Sequence, residues 1–352
     1  MSKNFWKKLT LRPIRQSLRV VSQSNPQAQG KKKPFFVLAP MADVTDMAFR
    51  QIVVSCGKPD VLFTEFVSAD GLCSEKGRPK LLPYLKFGEN ERPIVAQFFG
   101  ANPRNFYKCA QLAVGLGFDG IDINMGCPAG KIVKHDSGAG LIKNPELAKE
   151  IIQATKEGAA SAGRRIPVSV KTRIGYNKII TEEWISHLIE AEPAAIIIHG
   201  RTQKEMSKVP AHWDEIGKAA VLCRKAGIPI IGNGDVMTYQ EGLNKAAEWK
   251  LDGIMVGRGI FSNPWFFDPS TDANAKTPAE KIALLKKHME LFTELWGSPP
   301  SAHSDGGGKN FETMKKFFKI YISDFEGAKE LRVRLMAAKN KEGIVDILQN
   351  QL

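Results

Sequence analysis

Eight short apolar runs, each followed by a segment with helical spacing, constrain this chain more than any other feature. They occupy residues 35–40, 61–66, 93–98, 119–124, 166–172, 194–199, 228–232 and 252–257. The runs are β-branched and nearly continuous in apolarity, as strands buried on both faces are. Between them, segments such as 103–116, 145–160 and 238–249 carry apolar residues at helical intervals. Eight such units predict an α/β fold, a (β/α)8 TIM barrel over residues 34–267. A doubly wound open sheet is the alternative, but it usually has fewer units for this length. The remaining C-terminal residues, 277–352, read as a small helical domain. Its helices are predicted over 278–296, 311–324, 328–338 and 342–348, with a Ser/Gly/Pro-rich link at 297–309.

Barrels of this kind carry their chemistry at the C-terminal ends of the strands. Polar residues collect there: Gln97, Asn124, Cys127, Lys171, Arg173, His199, Arg201, Asn233, Asp235 and Arg258. A core strand has little reason to end in Lys, Arg or His unless a ligand meets it. Gly232-Asn233-Gly234-Asp235 closes the seventh strand and Gly257-Arg258-Gly259 the eighth. Loops in those two places often bind phosphate, and Arg258 adds charge-assisted hydrogen bonds. Either glycine motif alone is weak, because turns also need glycine. Lys171 inside a barrel mouth calls for negative charge nearby, such as that of a reduced flavin, or else for Schiff-base chemistry. Gln97 offers a donor and an acceptor to a ring edge. Cys127, between Gly126 and Pro128, is presented on a loop and is open to roles as nucleophile or acid. His135, eight residues on, is a candidate partner or a surface histidine.

Charge is unevenly placed. Residues 1–33 hold nine Lys or Arg and no acid, so only +4 of the net +13 belongs to the rest. Such an arm favours polyanions, though a flexible solvated tail or a transit peptide has the same composition. The helical tail adds Lys286, Lys287, Lys315, Lys316, Lys319, Arg332 and Arg334 beside Phe317, Phe318 and Tyr321. That is either a solvated face over an aromatic core or a phosphate-contacting surface. Five cysteines without a CxxC pair suggest reduced thiols in a cytoplasmic protein, with neither a disulfide scaffold nor a zinc site. No run of about 18 apolar residues predicts a membrane span.

Seven motifs in order resemble the tRNA-dihydrouridine synthases, most of all their bacterial branch. They are Leu38-Ala39-Pro40-Met41-Ala42-Asp43-Val44-Thr45-Asp46, Gln97-Phe98-Phe99-Gly100, Asp122-Ile123-Asn124-Met125-Gly126-Cys127-Pro128, Val170-Lys171-Thr172-Arg173, His199-Gly200-Arg201-Thr202, and the two glycine motifs above. The resemblance runs from about Phe36 to Phe261, and more weakly to the C-terminus. It implies an NADPH- or NADH-driven, FMN-dependent reduction of the uracil C5–C6 double bond in tRNA. The backbone of Pro40, Met41 and Ala42, with Gln97, Lys171 and His199, would hold the FMN ring. Asn233, Gly234, Asp235, Gly257 and Arg258 would hold its tail and phosphate. Cys127 would be the proton donor, and Asn124, Lys131, Arg173 and Arg201 would position the substrate. The helical tail would grip the tRNA. The stretch from Ala129 to Gly140 departs from the family pattern, which usually has more basic residues and a Gly-Ser pair there. The basic extension before Pro34 is also not part of that pattern. Two other classes compete: an FMN barrel reductase of a free pyrimidine or other small alkene, and a nucleic-acid-binding protein without catalysis. The basic arm and tail speak against the first, and intact Cys127 and Lys171 against the second.

Overall fold

The computed structural model describes residues 4–12, 33–297, 309–339 and 341–349. Its strands are β1 (Phe35–Leu38), β2 (Leu62–Phe63), β3 (Val67–Ser68), β4 (Ile94–Phe99), β5 (Gly120–Met125), β6 (Val168–Arg173), β7 (Ile196–His199), β8 (Ile230–Asn233) and β9 (Gly253–Val256). All pair in parallel, in the order β1-β9-β8-β7-β6-β5-β4-β2, with β3 also on β4. The ring closes where Val37 bridges Val61 and the Leu38 N–H donates to the Val61 carbonyl at 3.3 Å. This is the (β/α)8 TIM barrel.

Proline sharpens the strand starts. Pro93, Pro167 and Pro229 have no N–H for a ladder, and their carbonyls accept from Leu62, Ile121 and Ile196 of neighbouring strands. These three ladders therefore begin one or two residues later than the apolar runs do. The second run, expected as one strand over 61–66, is a strand only at β2, and β3 follows just beyond its end. Between them the Thr64 hydroxyl takes the Gln97 N–H at 3.1 Å, and Glu65 turns away to meet Lys309 at 2.6 Å. Side chains there replace part of the backbone ladder.

Residues 4–12 differ from the expectation of a flexible basic extension. Phe5–Leu9 form a helix, α1, with Asn4 accepting the Trp6 N–H at 3.1 Å as its cap. One turn of helix has no stability of its own. It forms because Trp6 and Leu9 enter the barrel from the N-terminal ends of the strands and pack with Phe35, Val37, Phe63, Val95, Ile197, Ile231 and Met255. The Trp6 ring lies 5.9 Å from Phe35 and 6.1 Å from Phe63. Arg12 then pairs with Asp60 at 2.7 Å. The rest of the basic extension, residues 13–32, lies outside the described residues.

A second, larger core joins the outer faces of the strands to the surrounding helices and continues into the tail. The tail begins with the helix Pro278–Trp296, whose bounds match the sequence signals: a Thr277/Glu280 capping box, proline in the first turn and Gly297 at φ 79°. The segment expected as one helix over 311–324 is a 3-10 helix, Phe311–Phe317, followed by an α-turn, Phe318–Tyr321. Its buried residues Phe311, Met314 and Phe317 recur every third position, the period of a 3-10 helix. Phe317, Phe318 and Tyr321 are core, while Lys316, Lys319 and Arg334 face outward. Phe317 and His288 pack at tilted angles against Phe49 of α2 (Met47–Cys56), with ring centroids 5.1 and 5.6 Å away, and so dock the tail on the barrel. Most of the expected link, residues 298–308, lies outside the described residues. No helix among the described residues is long and apolar enough to cross a membrane.

Candidate active site

Strand register gathers the polar residues at the C-terminal ends of adjacent strands. Asn124 lies opposite Lys171, Arg173 opposite His199, and His199 opposite Asn233. One layer deeper, Gln97 lies opposite Asp122 and Asp122 opposite Ser169. That deeper layer is a closed hydrogen-bonded network. Asp122 accepts from Gln97 Nε2 at 2.7 Å and from the Ser169 hydroxyl at 2.6 Å, and Asn124 Nδ2 donates to Gln97 Oε1 at 3.0 Å. Burial pushes the Asp122 carboxyl up to about 6, against the pull of those hydrogen bonds.

Above the network is a cavity of about 250 Å³. Pro40, Met41, Lys171, His199, Asn233, Gly234, Gly257 and Arg258 line it, together with Arg173, Arg201 and Asp235. Four basic side chains, Lys171, Arg173, Arg201 and Arg258, thus face one carboxylate, so an anionic ligand fits the charge. Lys171 Nζ donates to Asn233 Oδ1 at 3.3 Å, and Asn233 Nδ2 donates to the Met255 carbonyl at 2.9 Å. Burial, then the nearby Arg173, pushes the Lys171 ammonium down to about 8. Burial and the surrounding cations also hold the His199 imidazole well below its ordinary value, so it is neutral near pH 7. Arg201 Nη1 lies 3.1 Å from His199 Nε2, and a guanidinium can only donate. The Nε2 atom is therefore the acceptor and Nδ1 carries the proton.

Asp235 orients the cavity's basic rim. It sits at a left-handed φ of 49° and accepts from Arg201 at 2.5 Å, from Arg258 at 2.6 Å and from the Ala211 N–H at 2.9 Å. Burial alone would raise its pKa; the Arg201 hydrogen bond and the other donors hold it below the usual carboxylate range. Gly234, at φ 144°, has no room for a side chain: a Cβ would lie 2.6 Å from the Ala211 Cβ.

Cys127 stands beside this cavity on a braced loop. Asn124 Oδ1 accepts the N–H groups of Gly126 at 3.1 Å and of Cys127 at 2.8 Å. Arg173 Nε donates to the Gly126 carbonyl at 2.7 Å, and its Nη1 reaches the Thr202 and Met206 carbonyls at 3.0 and 3.1 Å. The Cys127 carbonyl accepts from Ala139 at 3.0 Å. Burial raises the thiol pKa and outweighs the nearby Arg173, Lys171 and Lys131. Cys127 is therefore a protonated thiol at neutral pH, suited to giving a proton rather than to attacking as a thiolate.

Residues 37–352 match the family model described as dihydrouridine synthase (Dus). The chain belongs to the dihydrouridine synthase family. It is 40% identical over 322 residues to the "Probable tRNA-dihydrouridine synthase 2" of Bacillus subtilis (strain 168), covering 90% of this chain and 94% of that one. It is 41% identical over 308 residues to the "Probable tRNA-dihydrouridine synthase" of Staphylococcus aureus (strain COL), covering 86% and 89%. In fold it is similar to histamine dehydrogenase from Rhizobium sp. 4-9 (TM-score 0.52, 13% identity), covering 73% of this chain and 48% of that one. It is equally similar to the 6-hydroxypseudooxynicotine amine oxidase of Pseudomonas geniculata N1 (TM-score 0.52, 13% identity), covering 74% and 50%. This chain thus spans about half the length of those two structures.

In this dihydrouridine synthase the structure gathers Pro40, Met41, Lys171, Arg173, His199, Arg201, Asn233, Gly234, Asp235, Gly257 and Arg258 around one cavity. Other residues singled out from the sequence lie elsewhere. Gln97 is fully buried in the network below, while Ala42 and Lys131 are exposed outside the cavity lining. Asn124 spends its oxygen on the Cys127 loop, and Arg173 likewise spends donors on backbone carbonyls. His135 is exposed, and no described hydrogen bond joins it to Cys127. Asp122 and Ser169 received no role from the sequence. An Asp inside an otherwise apolar strand was the available signal for the first; Ser169 had none.

Proposed function

We propose that this chain reduces specific uridines of tRNA to dihydrouridine, with FMN in the cavity, NADPH or NADH as reductant and Cys127 as proton donor. The observation that carries this reading is the braced Cys127 thiol, held protonated beside a cavity whose lining favours an anion. The residues fit FMN. Lys171 and His199 would meet the ring with Pro40 and Met41, while Asn233, Gly234, Gly257 and Arg258, all in the same cavity wall, would hold the phosphate, with Asp235 orienting Arg258. Bound there, the reduced flavin would supply the hydride for one carbon of the uracil double bond. Cys127 Sγ holds the proton for the other carbon. That carbon becomes basic only as its neighbour gains the hydride, so the acid must already be in place. Asn124 and Arg173 keep the Cys127 loop fixed; Arg201 in the cavity wall and Lys131, exposed on the segment after Cys127, would meet the substrate. The uridine must leave its stack to reach the cavity, and the basic outer face of the helical tail suits the RNA around it. The cytoplasm, where tRNA is processed, is the matching location.

The test is direct. Purified protein should carry a flavin absorbance and, with NADPH, form dihydrouridine in unmodified tRNA. The same positions should lose it in tRNA from a deletion strain. Turnover of free uridine equal to that of tRNA would overturn the RNA substrate. A pH dependence follows from Lys171. The ammonium is present below about 8 and lost above it. Affinity of the flavin-free protein for FMN should therefore fall as pH rises through that value, and Lys171→Met should be weaker throughout and flat across it. Unchanged affinity in Lys171→Met would remove Lys171 from the ring site.

A further inference from the structure

The turn formed by residues 41–46 links the cavity to the helical tail. The Met41 carbonyl accepts from the Val44 and Thr45 N–H groups at 3.1 and 3.0 Å, and the Met41 N–H donates to Thr45 Oγ1 at 2.9 Å. Asp43 takes a left-handed φ of 58° within it. Met41, at its start, forms part of the cavity wall. The other side of the turn is held from the tail. Asp46 Oδ2 accepts from Trp296 Nε1 at 2.9 Å and from Lys309 Nζ at 3.3 Å. Lys316 Nζ donates to the Asp43 carbonyl at 3.0 Å. Lys309 also meets Glu65 at 2.6 Å and lies over the rings of Trp296 and Tyr84 at 5.0 and 5.2 Å. The Lys309, Asp46 and Glu65 side chains are only 3, 2 and 2% exposed.

Simple adhesion does not need such a cluster. Burying three charges costs much of what their attraction returns, and apolar groups of the same shape often bind as well. The Phe49–Phe317–His288 contact already supplies apolar adhesion between tail and barrel. What ion pairs and hydrogen bonds add is direction, because each fixes a donor to one acceptor. Here the fixed acceptor is Asp46, which also caps α2 by accepting the Phe49 N–H at 3.0 Å. Its place in turn fixes the hydrogen-bonded turn that leads back to Met41.

We propose that Lys309 is a positioning residue for the cofactor cavity: by clasping Asp46 and Glu65 it ties the docked tail to the 41–46 turn and sets the cavity wall at Met41. The proposal deepens the flavin reading above and rests on it. The measurement is the affinity of the flavin-free protein for FMN, read by quenching of flavin fluorescence. Lys309→Met should weaken binding about tenfold, within the range by which remote changes couple to a site, although Lys309 touches no part of the cavity. That variant leaves two carboxylates buried without a cation. If it does not fold, the neutral triple variant Asp46→Asn/Glu65→Gln/Lys309→Met tests the same link and should show the same loss. Leu335→Ala, in the tail helix Ala328–Ala337, is the control: it removes a buried side chain far along the tail. It should lower Tm yet leave FMN affinity as in the wild type. Wild-type affinity in a folded clasp variant would overturn the proposal, and so would an equal loss in Leu335→Ala, which would make the effect one of general loosening. Wild-type protein that binds no FMN would overturn the flavin reading itself and the clasp with it.

Discussion

Cys127→Ala should lower uridine reduction by about 10²–10⁴-fold, the usual contribution of a positioned general acid, while FMN and tRNA binding persist. Two features of the structure separate this expectation from a general loss of structure. Cys127 is held through its backbone, by Asn124 Oδ1 on its N–H and by Ala139 on its carbonyl, so an alanine keeps those bonds. The thiol is also only partly buried, so its removal leaves little void. The direction of the thiol's pKa gives a second test. Because burial holds it above its ordinary value, the acid form persists through neutral pH and is lost only in alkali. The reduction step should stay flat from pH 6 to 8 in wild type, apart from the change due to Lys171. Stopped-flow measurement of flavin reoxidation by tRNA would read this step separately from reduction by NADPH. Full activity in Cys127→Ala would end the proton-donor role.

The sequence carried the barrel because each buried parallel strand leaves its own apolar run, independent of its neighbours. It also carried most of the cavity, since ligands meet a barrel at the strand ends, and Lys171 with Arg173, His199 and Asn233 occupy the ends of three successive strands. What it did not carry depends on partners distant along the chain. Asp235 looks like a ligand residue in Gly232-Asn233-Gly234-Asp235, but its oxygens are taken by Arg201 and Arg258. Asn124 and Arg173 look like substrate contacts, but their visible work is to brace the Cys127 loop. The clasp is the plainest case. Lys309 lies 263 residues from Asp46 and 244 from Glu65, and no local pattern marks such a trio. Trp6 was hidden for another reason: nine basic residues in the first 33 made charge the dominant signal there and masked the apolar face of a single helical turn.

That turn leads to the second large effect. Trp6→Ala should destabilise the protein by about 3–5 kcal/mol, the range for emptying a large buried aromatic site. The indole is fully buried at the barrel's N-terminal end, where the facing strands cannot collapse to fill the space. Trp6→Phe provides the contrast. The indole N–H has no partner among the described residues, so phenylalanine removes an unsatisfied donor while keeping most of the packing. Its cost should be under about 1.5 kcal/mol, as for other apolar exchanges of similar shape. Urea unfolding of the two variants at 25 °C would measure both, and a loss below 1 kcal/mol in Trp6→Ala would mean that α1 is not a structural plug. Each folded variant should keep wild-type FMN affinity, because the cavity lies at the opposite end of the strands. The distinction matters for the basic arm. Deleting residues 1–33 removes the plug together with nine cations, so weaker tRNA binding in that deletion has two causes. Replacing the Lys and Arg residues from 15 to 33 with glutamine, with Trp6 intact, isolates the charge. If the arm holds RNA, tRNA affinity should fall and its salt dependence flatten in that variant, with urea stability unchanged.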